Sequence, residues 1–244
     1  MSPLRAILAL ALIASCLAAP TDPGLPEGRR ALFIGNSYLY TQNIPGIVEA
    51  LADSAHGDKI ATAMVAAPNL ALIDHWYGGT SRQAIRQGGW EWVILQQGPS
   101  SVGVNRDTLR LATTYFAGDI ALVNAKPALF SAWPSEDRRQ DFPAAIESYT
   151  LAAQDVQGLL LPIAAAWIAA WQRDSNLQLY EDGLHPSVRG AYLSALVIYS
   201  VLLEKSPVGL PSRLRLRSGT TIDVGSAATT LQAAAAEAVQ AVSH

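Results

Sequence analysis

Short apolar runs alternate along this chain with longer stretches whose apolar residues recur at helical spacing, the pattern of βαβ units building a parallel sheet. The apolar runs predict strands at residues 31–34, 59–65, 92–96, 127–132 and 159–163. The longer stretches predict helices at 45–54, 106–124, 143–156 and 187–203. Pro45 suits the first turn of the first helix and Asn43 its cap. The helix at 187–203 opens directly after His185-Pro186, and Pro207 and Pro211 end the segment that follows it. An alanine-rich run at 227–242 predicts an outer helix, and nothing else along the chain is repetitive or of low complexity.

Half of the 244 residues are hydrophobic and only 15% are charged, a balance that suits helices packed on both faces of a buried sheet and not disorder. No linker rich in Gly, Pro and Ser divides the chain, so residues 30–244 read as one domain. The net charge is -3, and no basic run is interleaved with aromatics, which argues against DNA or RNA as a partner. Residues 1–18 form a separate unit. One positive charge precedes an almost wholly apolar run that is too short to span a bilayer, where roughly 20 residues are needed, and the pattern resembles an export signal. Ile13-Ala14-Ser15-Cys16 also resembles a bacterial lipobox, whose cysteine becomes the lipid-bearing first residue; cleavage after Ala18 is the competing reading. Both place the mature protein in the periplasm or outside the cell, and only the first attaches it to a membrane, through Cys16. Cys16 is the one cysteine, so neither a disulfide frame nor a thiolate metal site is available. Residues 19–29, with three prolines and two glycines, read as an exposed tether.

Two distant stretches carry candidate chemistry. In Leu32-Phe33-Ile34-Gly35-Asn36-Ser37 an apolar run ends at a glycine that lets the backbone turn, which puts Ser37 at the C-terminal edge of a strand. Open α/β sheets bind their ligands at that edge. In Asp182-Gly183-Leu184-His185-Pro186-Ser187 an acid and a histidine three residues apart can be presented by one short turn. A serine hydroxyl is a poor nucleophile until an imidazole takes its proton, and the imidazole needs a carboxylate on its other nitrogen. Ser37, His185 and Asp182 supply those three parts. Each stretch alone is an ordinary turn; one mechanism explains them jointly.

The chain resembles the SGNH (GDSL-like) hydrolases, in the branch with Gly-Asn-Ser in place of Gly-Asp-Ser, over roughly residues 30–211. The most specific part is Tyr180-Glu181-Asp182-Gly183-Leu184-His185-Pro186-Ser187 followed by Gly190, Tyr192, Leu193 and Tyr199. The resemblance implies a three-layer α/β/α sandwich with a flavodoxin-like parallel five-stranded sheet. It implies an esterase or lipase-like activity on acyl esters, often acetyl groups on carbohydrate, without metal or organic cofactor. Ser37 would be the nucleophile, His185 the base and Asp182 its orienting acid. The substrate would be a small-molecule or glycan ester. An acyltransferase using the same three residues and a non-catalytic glycan-binding lipoprotein on the same fold are the rival functions.

The family also implies an oxyanion hole built from the serine N–H, a glycine N–H and an asparagine side chain. The glycine block aligns with residues 68–76 and puts Asn69 where glycine usually stands; a main-chain donor tolerates this, since asparagine enters left-handed backbone readily. Gly78 or Gly79 is the fallback. No asparagine stands in the other block, Gln96-Gln97-Gly98-Pro99-Ser100-Ser101, where Gln97 offers an amide donor and Ser100 is the alternative. Asn36 is expected to brace the turn, and His75, in a helical segment with Asp74 and Trp76, to be structural. His56 and His244 are expected at the surface, and four scattered histidines do not suggest a metal centre. Trp133 would either line an acyl or sugar pocket or cap the core.

Overall fold

The computed structural model of the chain describes residues 28–55 and 59–242. The export signal with Cys16, most of the expected tether, His56 and His244 lie outside the described residues. The strands are β1 (Arg29–Gly35), β2 (Ile60–Ala66), β3 (Trp92–Leu95), β4 (Lys126–Phe130) and β5 (Leu159–Leu161), all parallel in the order β2-β1-β3-β4-β5. Ile34 of the central strand lies beside Val65 on one side and Leu95 on the other. Its apolar run is continuous because helices cover both faces, which leaves no solvent side to alternate with. The layers are α2 (Ile44–Ser54), α7 (Ile163–Arg173), α8 (Val188–Leu203) and α9 (Ala228–Val242) on one face, and α3 (Leu72–Gly78), α4 (Thr80–Arg86), α5 (Gly103–Leu122) and α6 (Phe142–Asp155) on the other. The short α1 (Ser37–Tyr40) follows β1 directly. This is the three-layer α/β/α sandwich with a flavodoxin-like strand order.

Where the expected elements shift, the cause is local. β1 begins at Arg29, inside the expected tether, because the Arg29 guanidinium pairs with Glu91 and lies over the Trp92 ring at 4.2 Å. β5 stops at Leu161 and not 163, since Pro162 has no N–H for the ladder and instead precedes α7. The helical segment expected around residues 74–76 is α3, whereas α4, hinged to it at Gly79 with φ 79°, α7, and a hairpin of β6 (Arg213–Arg215) and β7 (Thr221–Asp223) had no counterpart in the pattern. Asn43 does cap α2, its side chain accepting from the Gly46 N–H at 3.2 Å. Among the described residues no helix is long and apolar enough to cross a membrane.

From β1 the chain steps to β2 on one side and then crosses back to β3 on the other. The crevice at the C-terminal ends of β1 and β3 is therefore the topological switch point, where this class of sheet binds ligands. Ser37 follows β1, and residues 96–101 follow β3.

Candidate active site

Ser37 is the first residue of α1, capped by Asn36, whose side chain accepts from the Tyr38 N–H at 3.2 Å and donates to the Leu70 carbonyl at 3.1 Å. Asn36 thus braces the turn, as its position suggested. The role of Gly35 differs from the expected one: it lies within β1 and its φ is not positive. What demands glycine is space, because a Cβ there would stand 2.2 Å from Gln96 Oε1 and 2.8 Å from Leu39 Cδ1.

Asp182 and His185 occupy a tight turn at the same sheet edge. The Asp182 Oδ1 accepts from the N–H groups of Leu184 at 3.0 Å and His185 at 2.7 Å, while Gly183, with φ 82°, supplies the left-handed residue the turn needs. The loop is pinched at its base by the Tyr180 to Pro186 bridge and the Glu181 N–H to His185 carbonyl bond of 2.9 Å. The Ser187 hydroxyl caps α8 by accepting from the Gly190 N–H. Asp182 Oδ2 lies 2.7 Å from His185 Nδ1, and His185 Nε2 lies 2.9 Å from Ser37 Oγ. Beside a carboxylate the ring keeps its proton on Nδ1, so Nε2 offers a lone pair to the serine hydroxyl. The His185 ring, then the backbone N–H groups of the turn, hold the Asp182 carboxyl down at about 2 although its side chain is 54% exposed. Ser37 and His185, 148 positions apart in the chain, are thereby joined with Asp182 in one hydrogen-bonded line.

A cavity of about 420 Å3 opens at Ser37, and its walls include Asn69, Gln97, Ser100, Asn105 and Leu184. Asn69 and Ser100 both have left-handed backbone, φ 60° and 56°. Gln97 is buried, its Oε1 accepting from the Leu72 N–H at 3.0 Å and its Nε2 donating to the Ser100 hydroxyl at 2.8 Å. One of its two amide hydrogens is therefore committed to Ser100. Gly78 ends α3 and is not among the residues lining the cavity, and Gly79 is the hinge to α4. A larger cavity, about 1090 Å3, opens by Gly158 and Leu160 at the opposite end of the sheet, and Ser37, Asp182 and His185 are not among its lining residues.

Family models of protein sequences and curated proteins yield no match to this chain. Solved structures do match. A DUF4886 family protein from Bacteroides uniformis is similar at 14% identity and TM-score 0.72, over 88% of this chain and 95% of that one. A putative SGNH hydrolase from Slackia heliotrinireducens is similar at 21% identity and TM-score 0.61, over 72% and 99% of the two chains. The chain has the SGNH/GDSL-like hydrolase fold. Also similar, with this fold at 15% identity and TM-score 0.58, is an acetyl xylan esterase, AlAXEase, matched over 70% of this chain and 98% of that one.

In the SGNH fold of this chain the aromatic residues near Ser37 and His185 form a floor beneath them. Trp133 does not line the cavity: it is fully buried, stacked between Tyr38 at 4.8 Å and Trp167 at 4.1 Å, and its indole N–H donates to the Leu184 carbonyl at 3.0 Å. It holds the histidine loop from below. His75 is buried behind the serine turn, Nε2–H donating to the Gly35 carbonyl at 2.8 Å and Nδ1 accepting from the Ser81 hydroxyl at 3.0 Å, and burial lowers its pKa. Among the described residues no group of three or more His, Cys, Asp or Glu side chains could hold a metal ion.

Two further residues of the site had no signal in the sequence beyond a polar or aromatic letter in an apolar context. The Tyr149 hydroxyl, on α6, donates to the Gln97 carbonyl at 2.9 Å and accepts from the Gln97 N–H at 3.1 Å. Gln96 fills the space above Gly35.

Proposed function

We propose that the protein is an ester hydrolase that works through an acyl-enzyme on Ser37. The observation that carries this reading is the line from Asp182 through His185 to Ser37, with spacings of 2.7 and 2.9 Å, opening on a cavity at the switch point of the sheet. His185 Nε2 takes the Ser37 proton as Oγ bonds to the ester carbonyl carbon, whose π pair moves onto oxygen. Collapse breaks the bond to the alkoxide, which leaves with the proton from Nε2, and the acyl group remains on Ser37. Water then repeats the attack with His185 as base, and the second collapse releases the carboxylic acid and returns the hydroxyl.

The oxyanion would be held by the Ser37 N–H, which stands at a helix start without an intrahelical acceptor, by the Asn69 N–H and by the second hydrogen of Gln97 Nε2. Each such donor is worth roughly 2.7–4 kcal/mol in acyl transfer. Polar side chains on the cavity wall and the likeness to an acetyl xylan esterase support short-chain esters of carbohydrate as the substrate class. Export by residues 1–18, with or without lipid on Cys16, would deliver the enzyme to extracellular glycans, and the mass of the mature N-terminus tests it. For the reaction, hydrolysis of p-nitrophenyl acetate and of acetylated xylo-oligosaccharide is expected from the wild type and absent from Ser37→Ala. Full activity in that variant would remove the proposal.

A further inference from the structure

Gln96 follows β3 directly and is wholly buried, at 0% exposure. Its backbone N–H donates to the Ile34 carbonyl at 2.9 Å, which extends the seam between β1 and β3 by one bond. Its side chain continues the seam past the point where the strands diverge. Oε1 accepts from the Asn36 N–H at 2.8 Å, and Nε2 donates to Asn36 Oδ1 at 3.1 Å and to the Gln97 carbonyl at 2.6 Å. Both amide hydrogens and the amide oxygen are thus in use on two residues: the one that precedes Ser37 and the one whose side chain reaches Ser100. Only a neutral primary amide of this length can make all three bonds. A carboxylate has no hydrogen for the two oxygen acceptors, and an apolar isostere leaves the buried Asn36 N–H unmet.

We infer that Gln96 is a positioning residue that sets Ser37 in register with the donors after β3, an inference that rests on the reading of Ser37 as nucleophile. The seam matters because the two halves of the site come from different strands, and a misplacement of about 1 Å between reacting groups can cost about 10²-fold in rate. Asn36 supplies the counterpart, its other side-chain bond reaching the Leu70 carbonyl beside Asn69. One buried amide pair therefore links the serine turn to both segments that carry candidate oxyanion donors.

The test compares Gln96→Met and Gln96→Asn with wild type on p-nitrophenyl acetate, together with Ile120→Ala, a buried core change on α5, as a reference for lost stability. Gln96→Asn keeps a neutral amide that is one methylene too short, so it reports if the methionine variant does not fold. The expected result is a kcat lower by about 30- to 100-fold in the folded Gln96 variants, with KM within about threefold, and little change in kcat for Ile120→Ala. Hydrogen exchange at the Asn36 amide should also quicken in both Gln96 variants. A kcat within twofold of wild type, or an equal loss in Ile120→Ala, overturns the inference. If the wild type hydrolyses no ester, it is the reading of Ser37 that fails, and exchange at Asn36 then decides the seam by itself: quickened exchange supports it and unchanged exchange overturns it.

Discussion

Replacing Gly35 with alanine separates two accounts of that glycine. The residue has strand backbone, so by local conformation alone alanine should be tolerated and should stabilise by roughly 0.4–1 kcal/mol through the unfolded chain. The surroundings say otherwise: the added Cβ would stand 2.2 Å from Gln96 Oε1, 2.8 Å from Leu39 Cδ1 and 3.0 Å from Gln96 Cβ. Overpacking a closed core costs about 1–3 kcal/mol. Pushing Gln96 away also removes the acceptor of the buried Asn36 N–H, at about 1–3 kcal/mol. Set against the entropic gain, the expected net loss is about 1–6 kcal/mol. For a domain of this size that corresponds to a Tm lower by roughly 2–20 °C. Urea unfolding at pH 7, with an unchanged m-value, measures the difference, and activity should fall more than stability because the displaced group is bonded to the residue before Ser37. A variant as stable as wild type, or more so, would refute the steric argument.

Asp182→Asn should lower kcat by about two to four orders of magnitude with little change in KM, because an amide can hold the wrong ring tautomer; a loss under tenfold in steady-state assays would contradict the assigned role. The same carboxylate carries a pH signature. Its pKa is depressed in the fold to about 2, so its stabilisation is present above the ordinary value of about 3.9 and fades as pH falls towards 2. The stability difference between wild type and Asp182→Asn should therefore shrink as pH falls from about 5 to about 2.5 in urea titrations. His75 acts in the same sense at higher pH: burial lowers its pKa, the unfolded chain binds the proton more readily, and stability falls as pH drops below about 6.5. His75→Gln should flatten that slope in the same titrations, and an undiminished slope would show that other groups cause it.

The catalytic proposal was readable in the sequence because its parts are local. A strand-end serine and an acid three residues before a histidine each announce a turn, and the apolar run at 31–34 puts the serine turn at the end of a strand; the histidine turn meets it in the fold, through the 2.9 Å contact of His185 Nε2 with Ser37 Oγ. The missed elements fail for stated reasons. From Leu159 to Trp171 the chain is apolar except for Pro162, so periodicity cannot show where β5 ends and α7 begins. α4 is seven residues long, under two helical repeats of pattern, and the β6 to β7 hairpin has three-residue strands. Gln96 was hidden because its role depends on the missing side chain of Gly35, which lies 61 positions away. Gln97 was legible as an amide near the site, but its bonds to Leu72 and Ser100 could be found only in three dimensions.

Labelling with a fluorophosphonate, read by mass spectrometry of the digested protein, tests the central claim most directly, since only a serine whose proton is being taken reacts. The wild type should gain one adduct on the peptide that contains Ser37, His185→Ala should label far more slowly, and Ser37→Ala should not label at all. An unlabelled wild type, or an adduct that persists in Ser37→Ala, would contradict the assignment of Ser37 as the nucleophile.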